Sequence, residues 1–190
     1  MLERVIPFAH SLLKEALHPG DTAIDATAGN GHDTVLLAEL AGPDGTVFSF
    51  DIQEEALAKT LERLKARHLD SRVRLCLDSH SNLKQHIPSE KLNEIQAAIF
   101  NLGYLPGGDK SIVTKAESTI SSLSQLLDCM KAGGIIILVV YPGHPEGKTE
   151  RDELLSYVKK LDQQSVSVLQ YGFINQKNSP PFVLALEKRA

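Results

Sequence analysis

Charge of one sign is scarce in this sequence, and so is cysteine. Twenty Lys and Arg stand against 24 Asp and Glu, for a net charge of −4. A chain so close to balance has no overall electrostatic footprint for nucleic acid, so any RNA contact must come from local clusters of cations. The two cysteines, Cys76 and Cys129, lie in apolar contexts. They exclude a disulfide framework and predict buried thiols in a reducing compartment. Long hydrophobic runs are missing as well: the longest, Ile135 to Tyr141, falls far short of a bilayer span. Residues 1–17 carry Glu3, Arg4, Lys14 and Glu15 among periodic apolar positions, which reads as an amphipathic helix and not a signal peptide. No internal repeat, low-complexity tract or second-domain linker occurs. His10, His18, His32, His68 and His86 show no metal-ligand spacing, and surface or capping roles suffice for them. With 190 residues, 42% of them hydrophobic, the expectation is one domain over 1–190 with a full-sized core, soluble and cytoplasmic.

What is present centres on Thr22 to Thr34, TAIDATAGNGHDT. A short apolar strand holding Asp25 runs into a turn at Gly29-Asn30-Gly31, and a helix with Val35, Leu36, Leu37 and Leu40 follows. Glycines suit such a turn because it needs backbone angles other residues resist, and because no side chain then blocks a ligand. The helix N-terminus points its amides and positive dipole end into the same space. This is a ligand cradle at the carboxyl end of a first parallel strand. A dinucleotide fingerprint wants a small residue three places after the second glycine, where this chain has Thr34, so that match is incomplete.

Along the rest of the chain strand and helix alternate. Residues 5–17 form a helix, with Pro7 in its first turn and His18-Pro19-Gly20 at its end. Strands are expected at 46–52, 72–77, 94–102 and 135–141. Helices are expected at 54–67, 82–86, 111–130 and 149–161. The helix over 54–67 is expected to bury Ala56, Leu57, Thr60, Leu61 and Leu64. The apolar runs Ala97–Phe100 and Ile135–Tyr141 suit a sheet covered on both faces. Residues 165–174 and 181–187 are β-rich with no helix between them, most simply an antiparallel final pair.

Polar residues gather at the carboxyl ends of these strands. Asp51 comes twenty residues after Gly31, the interval for an acid that hydrogen-bonds ribose hydroxyls. Asp78, Ser79 and His80 end the third strand, where they either meet an adenine edge or cap the next helix. Asn101 ends the fourth. Together with the glycine turn, they point to a nucleoside-containing ligand.

The motifs DATAGNGHDT (25–34), FDIQ (50–53), DSHSNL (78–83), NLGYLPGGDK (101–110) and YPGH (141–144) occur in that order. In them the chain resembles the class I S-adenosylmethionine-dependent methyltransferases, and more narrowly the small bacterial rRNA-methylase family. The resemblance implies a Rossmann-like α/β fold, a mostly parallel seven-stranded sheet with an antiparallel C-terminal pair and helices on both faces. It implies S-adenosyl-L-methionine as cofactor, a homodimer, and a tRNA substrate. Members of the family methylate the aminomethyl group of 5-aminomethyl-2-thiouridine at the tRNA wobble position. Carried over by position, Asp25, Gly29, Asn30 and Gly31 would hold the methionine end, with Asp33 and Thr34 at its ammonium and carboxylate. Asp51 would take the ribose, Ile52 and Gln53 would lie beside the adenine, and Asp78, Ser79 and His80 would flank it. For His80 a capping or surface role stands as the alternative.

Methyl transfer from a sulfonium is an in-line displacement in which the protein aligns nucleophile and methyl group. An amine attacks only as the free base. Amino-directed methyltransferases often carry Asp or Asn, two prolines and an aromatic residue where this chain has Asn101-Leu102-Gly103-Tyr104. The first and fourth positions match. Leu102 and Gly103 depart, so the shape of the pocket does not carry over. Asn101 could accept a hydrogen bond from the attacking nitrogen, while Tyr104 stacks on the uracil or walls the pocket. His144 is the candidate general base, ahead of Asp109, unless it only shapes its Pro/Gly loop. Lys110, Lys115, Lys148 and Arg151 are the candidate phosphate contacts for an anticodon stem-loop. The rival readings are methyl transfer to rRNA or a small-molecule amine, a Rossmann dehydrogenase, and a non-catalytic cofactor-binding module.

Overall fold

The computed structural model describes residues 1–103, 113–143 and 145–189. Helix α1 (Val5–Ala16) leads into β1 (Thr22–Asp25), α2 (His32–Ala41), β2 (Thr46–Asp51) and α3 (Glu54–Lys65). Then come β3 (Val73–Leu77), the single turns α4 (Leu83–His86) and α5 (Ser89–Leu92), and β4 (Ile95–Leu102). The order closes with α6 (Ala116–Cys129), β5 (Ile135–Val140), α7 (Pro145–Val158), β6 (Val166–Tyr171) and β7 (Phe182–Lys188).

The seven strands form one sheet in the order β3-β2-β1-β4-β5-β7-β6. The first five pair parallel; β7 runs antiparallel to both β5 and β6. Alternation along each strand assigns the two faces. Ala97, Ile99, Ile137 and Val139 pack under α1, α2 and α3 with Leu13, Leu37 and Leu64. Ala98, Phe100, Ile136 and Leu138 pack against Leu83, Leu123, Leu126 and Leu154 on the other side. The central strands bury both sides, which is why they are apolar throughout.

Several expectations need correcting. Helix α7 begins at Pro145, a turn before residue 149; proline is favoured at a first helical position because its missing N–H would go unbonded there anyway. Helix α3 stops at Lys65, and Leu61 stays half-exposed while Ala56, Leu57, Thr60 and Leu64 are buried. The turn of helix at Ser89–Leu92 had no periodic signal to announce it. Both cysteines are free, but only Cys76 is buried, its thiol pushed up to about 11 by loss of water; Cys129 is half-buried. Among the described residues, no helix is long and apolar enough to cross a membrane.

Candidate functional site

The strand order reverses between β1 and β4, and a site opens at their carboxyl ends, as expected at such a switch point. The glycine turn sits over it. Gly29 and Gly31 take φ of 53° and 78°, in the left-handed region. A Cβ at Gly31 would lie 2.9 Å from the Thr60 backbone, so α3 packs where only glycine fits. Arg63 Nε donates to Asn30 O at 2.8 Å, and Ala28 N donates to Phe50 O, also at 2.8 Å. Neighbouring elements thus clamp the turn from two sides.

Beneath it, Asp25 and Thr34 are both 0% exposed. Thr34 Oγ1 donates to Asp25 Oδ2 at 2.6 Å and lies 2.8 Å from Ser49 Oγ. Their expected place against the ligand is therefore corrected. Neither lines the cavities, and both brace the turn from below, with Thr34 tying α2 to the strands where a dinucleotide site would use a small residue. Burial foremost, then the Asp33 charge, pushes the Asp25 carboxyl up to about 7.

Two cavities meet at Thr27, Gly29, Asn101 and Gly103. The first, about 340 Å³, is lined by Asp51, Ile52, Gln53, Asp78, Ser79 and His80, with Thr114, Lys115 and Ser118 on its far side. Gly29 N and Gln53 N each donate to one Asp51 oxygen at 2.9 Å. That fixes the carboxylate and leaves lone pairs on both oxygens. Ile52, 60% exposed, lays an apolar side chain on this wall. Asp78 is tied down by Ser79 N, Asn82 Nδ2 and His86, and His86 first and Asn82 second hold its carboxyl below its ordinary value. The Ser79 hydroxyl caps the following turn by accepting from Ser81 N.

His80 is no surface residue. It is 8% exposed, its ring edge meets Phe100, and its pKa is lowered, chiefly by burial. Nδ1 donates to Ala26 O at 2.9 Å. The neutral ring therefore keeps Nε2 as an acceptor, and among the described residues that atom has no partner. An orphaned buried acceptor, a fixed carboxylate and an exposed apolar side chain suit an aminopurine nucleoside.

The second cavity, about 980 Å³, lies over the turn between α1 and the segment joining β6 to β7. Ile6 and His10 of α1 line it with Asn30, His32, Asp33, Tyr141 and residues 176–181. Asn30 and Asp33 thus stand on this side and not in the first cavity. Asn101 at the junction is anchored twice: its backbone N–H donates to Thr27 Oγ1 at 2.7 Å, and its Nδ2 donates to Asp33 Oδ2 at 2.6 Å. An ionised carboxylate only accepts, so the Asn101 amide must turn its nitrogen to Asp33 and keep Oδ1 as an acceptor. The other Asp33 oxygen lies 2.6 Å from His10 Nε2.

Sequence reasoning missed two residues here. His10 looked like an ordinary helix histidine, and its placement depends on how α1 crosses the sheet. Lys177 lay in a polar linker, yet that segment walls the second cavity. Of the four candidate phosphate contacts, Lys115 lines the first cavity and Lys148 is exposed on α7. Arg151 bonds Asp152 at 2.8 Å. Tyr104, Asp109, Lys110 and His144 lie outside the described residues.

Residues 47–187 match the family described as "Putative rRNA methylase". A chloroplastic tRNA (mnm(5)s(2)U34)-methyltransferase of Arabidopsis thaliana is 32% identical over 189 residues, 95% of this chain and 68% of that one. A crystal structure of a "putative rRNA-methylase" from Clostridium thermocellum superposes with a TM-score of 0.95 at 41% identity, covering 99% of both chains. A "putative methyltransferase" from Streptococcus mutans, solved in complex with SAH, gives 0.89 at 40% identity, again over 99% of each.

Proposed function

This chain belongs to the "Putative rRNA methylase" family and is an S-adenosylmethionine-dependent methyltransferase; from that premise we propose that it methylates the aminomethyl nitrogen of 5-aminomethyl-2-thiouridine at the tRNA wobble position. The observation that carries a nitrogen acceptor is Asn101, held where the two cavities meet with its oxygen as the hydrogen-bond acceptor. An attacking amine has N–H groups to give such an oxygen, and one bond there aims the nitrogen lone pair. The choice of wobble uridine draws on the Arabidopsis relative.

The first cavity suits the adenosine half of the cofactor. Asp51 would hold its ribose, with Ile52 and Gln53 beside the base and Asp78, Ser79 and His80 around it. His80 Nε2 would accept from an exocyclic amino group. Gly29, Asn30, Gly31 and Asp33 would hold the methionine end, with Asp25 and Thr34 acting from beneath. When bound, the cofactor supplies an electrophilic methyl group. The chain's own residues orient the acceptor: Asn101 through its oxygen, Tyr141 and residues 176–181 as walls, and Lys177 toward an RNA phosphate. Tyr104 and His144 stay in the proposal as pocket wall and general base, on sequence grounds.

Nucleoside mass spectrometry of tRNA from a strain lacking the protein tests this. The aminomethyl nucleoside should accumulate, then gain one methyl group when purified protein and S-adenosylmethionine are added. An unchanged tRNA profile would overturn the wobble assignment and move the search to rRNA and small amines.

A further inference from the structure

We propose that His10 is a positioning residue for methyl transfer, holding Asp33 so that Asn101 presents its side-chain oxygen to the acceptor nitrogen. This rests on the amine-acceptor reading above. Three elements distant in sequence supply the chain: α1 brings His10, the first turn of α2 brings Asp33, and the end of β4 brings Asn101. Both links measure 2.6 Å, one to each oxygen of the same carboxylate. That carboxylate is largely withdrawn from water, its side chain 12% exposed, while His10 is 27% exposed at the cavity wall.

Hydrogen-bond chemistry dictates the rest. A carboxylate accepts from both sides, so His10 carries its proton on Nε2 and Asn101 offers its NH₂. Each bond is charge-assisted, the stronger class. With only one of them, the Asp33 side chain is free to leave its rotamer, and the Asn101 amide loses the group that tells its nitrogen from its oxygen. The carboxylate also polarises the amide it accepts from, which strengthens Oδ1 as an acceptor for the substrate N–H. His10 does not touch the reacting atoms; it acts through Asp33.

The test uses His10→Ala, His10→Phe, which keeps a ring without a donor, and His10→Gln, whose Nε2 can still donate to Asp33. In cofactor-free protein, the NMR resonances of the Asn101 side-chain amide should move in Ala and Phe and stay near wild type in Gln. With tRNA carrying 5-aminomethyl-2-thiouridine, taken from a strain lacking the protein, kcat should fall roughly 10- to 100-fold in Ala and Phe, as when an orienting partner is lost. Gln should recover most of it. Affinity for S-adenosylmethionine by calorimetry should fall less than kcat does, since Asp33 also stands among the residues proposed for the methionine end. An unmoved Asn101 resonance, an unchanged kcat, a Gln variant no better than Ala, or a loss taken entirely in cofactor affinity would each overturn the proposal. If wild-type protein methylates no wobble uridine, the acceptor reading fails by itself, and the Asn101 resonance still decides the role of His10.

Discussion

At the scale of single residues, the most consequential group under the site is one no ligand would touch. Asp25 is buried beneath the turn with its carboxyl at about 7, against an ordinary 3.8. The folded protein therefore holds this proton more tightly than the unfolded chain. Its contribution to stability is complete below 3.8 and is lost as pH rises through about 7. Asp25→Asn keeps an acceptor for Thr34 and cannot titrate. Its urea midpoint should fall less than wild type's between these pH values; parallel curves would show that Asp25 is ionised in the fold. The sequence showed that an acid precedes the glycines, but its depth comes from the two strands flanking β1, β2 and β4, and from α2, which no local pattern encodes. His80 is similar. Its position after β3 was legible, whereas burial of its ring and the bond to Ala26 bring together residues 54 apart.

At the scale of elements, the turn and the two helices against it behave as one unit. Gly31→Ala would place a Cβ 2.9 Å from the Thr60 backbone at a φ of +78°. Backbone strain of this kind costs on the order of 1–3 kcal/mol, and α3 would have to move as well. The expected outcome is a lower melting temperature together with weakened cofactor binding, read by thermal denaturation and calorimetry. Loss of stability with intact cofactor affinity would mean the turn tolerates displacement. Periodicity made these elements legible because the central strands are apolar on both sides and the longer helices carry one apolar face. It failed where an element is one turn long, as at Ser89–Leu92, and where a helix start depends on proline chemistry, as at Pro145. Legibility also stopped at the second cavity. Its walls are α1 and residues 176–181, which only the completed sheet brings together. Phe8 stacks on Tyr171 with ring centroids 3.9 Å apart, and the Tyr171 hydroxyl donates to Glu3 O, so α1 and the end of β6 hold each other in place.

At the scale of the whole molecule, the proposed RNA substrate has to be reconciled with a net charge of −4. Binding then depends on a few cations at the rim. Single-stranded contacts contribute about −0.7 each to the salt slope, so an interface of three or four phosphates gives a total of roughly −2 to −3. Fluorescence anisotropy of an anticodon stem-loop across salt concentrations measures this directly. Lys177→Ala should flatten the slope by about one phosphate's worth and weaken all RNA sequences alike. An unaltered slope would remove Lys177 from the interface.

The position of β7 has a consequence for how the molecule is made. Residues 182–188 are synthesised after β6 yet lie between β5 and β6. A ribosome delivers β6 before anything exists for it to pair with, so the emerging chain carries an unmatched strand until β7 clears the exit tunnel. Only then can β6 join the sheet, and with it the wall that the following segment gives the second cavity. Until β6 and β7 dock, the emerging chain has its glycine turn but not the segment that walls the second cavity, where the proposed acceptor would lie.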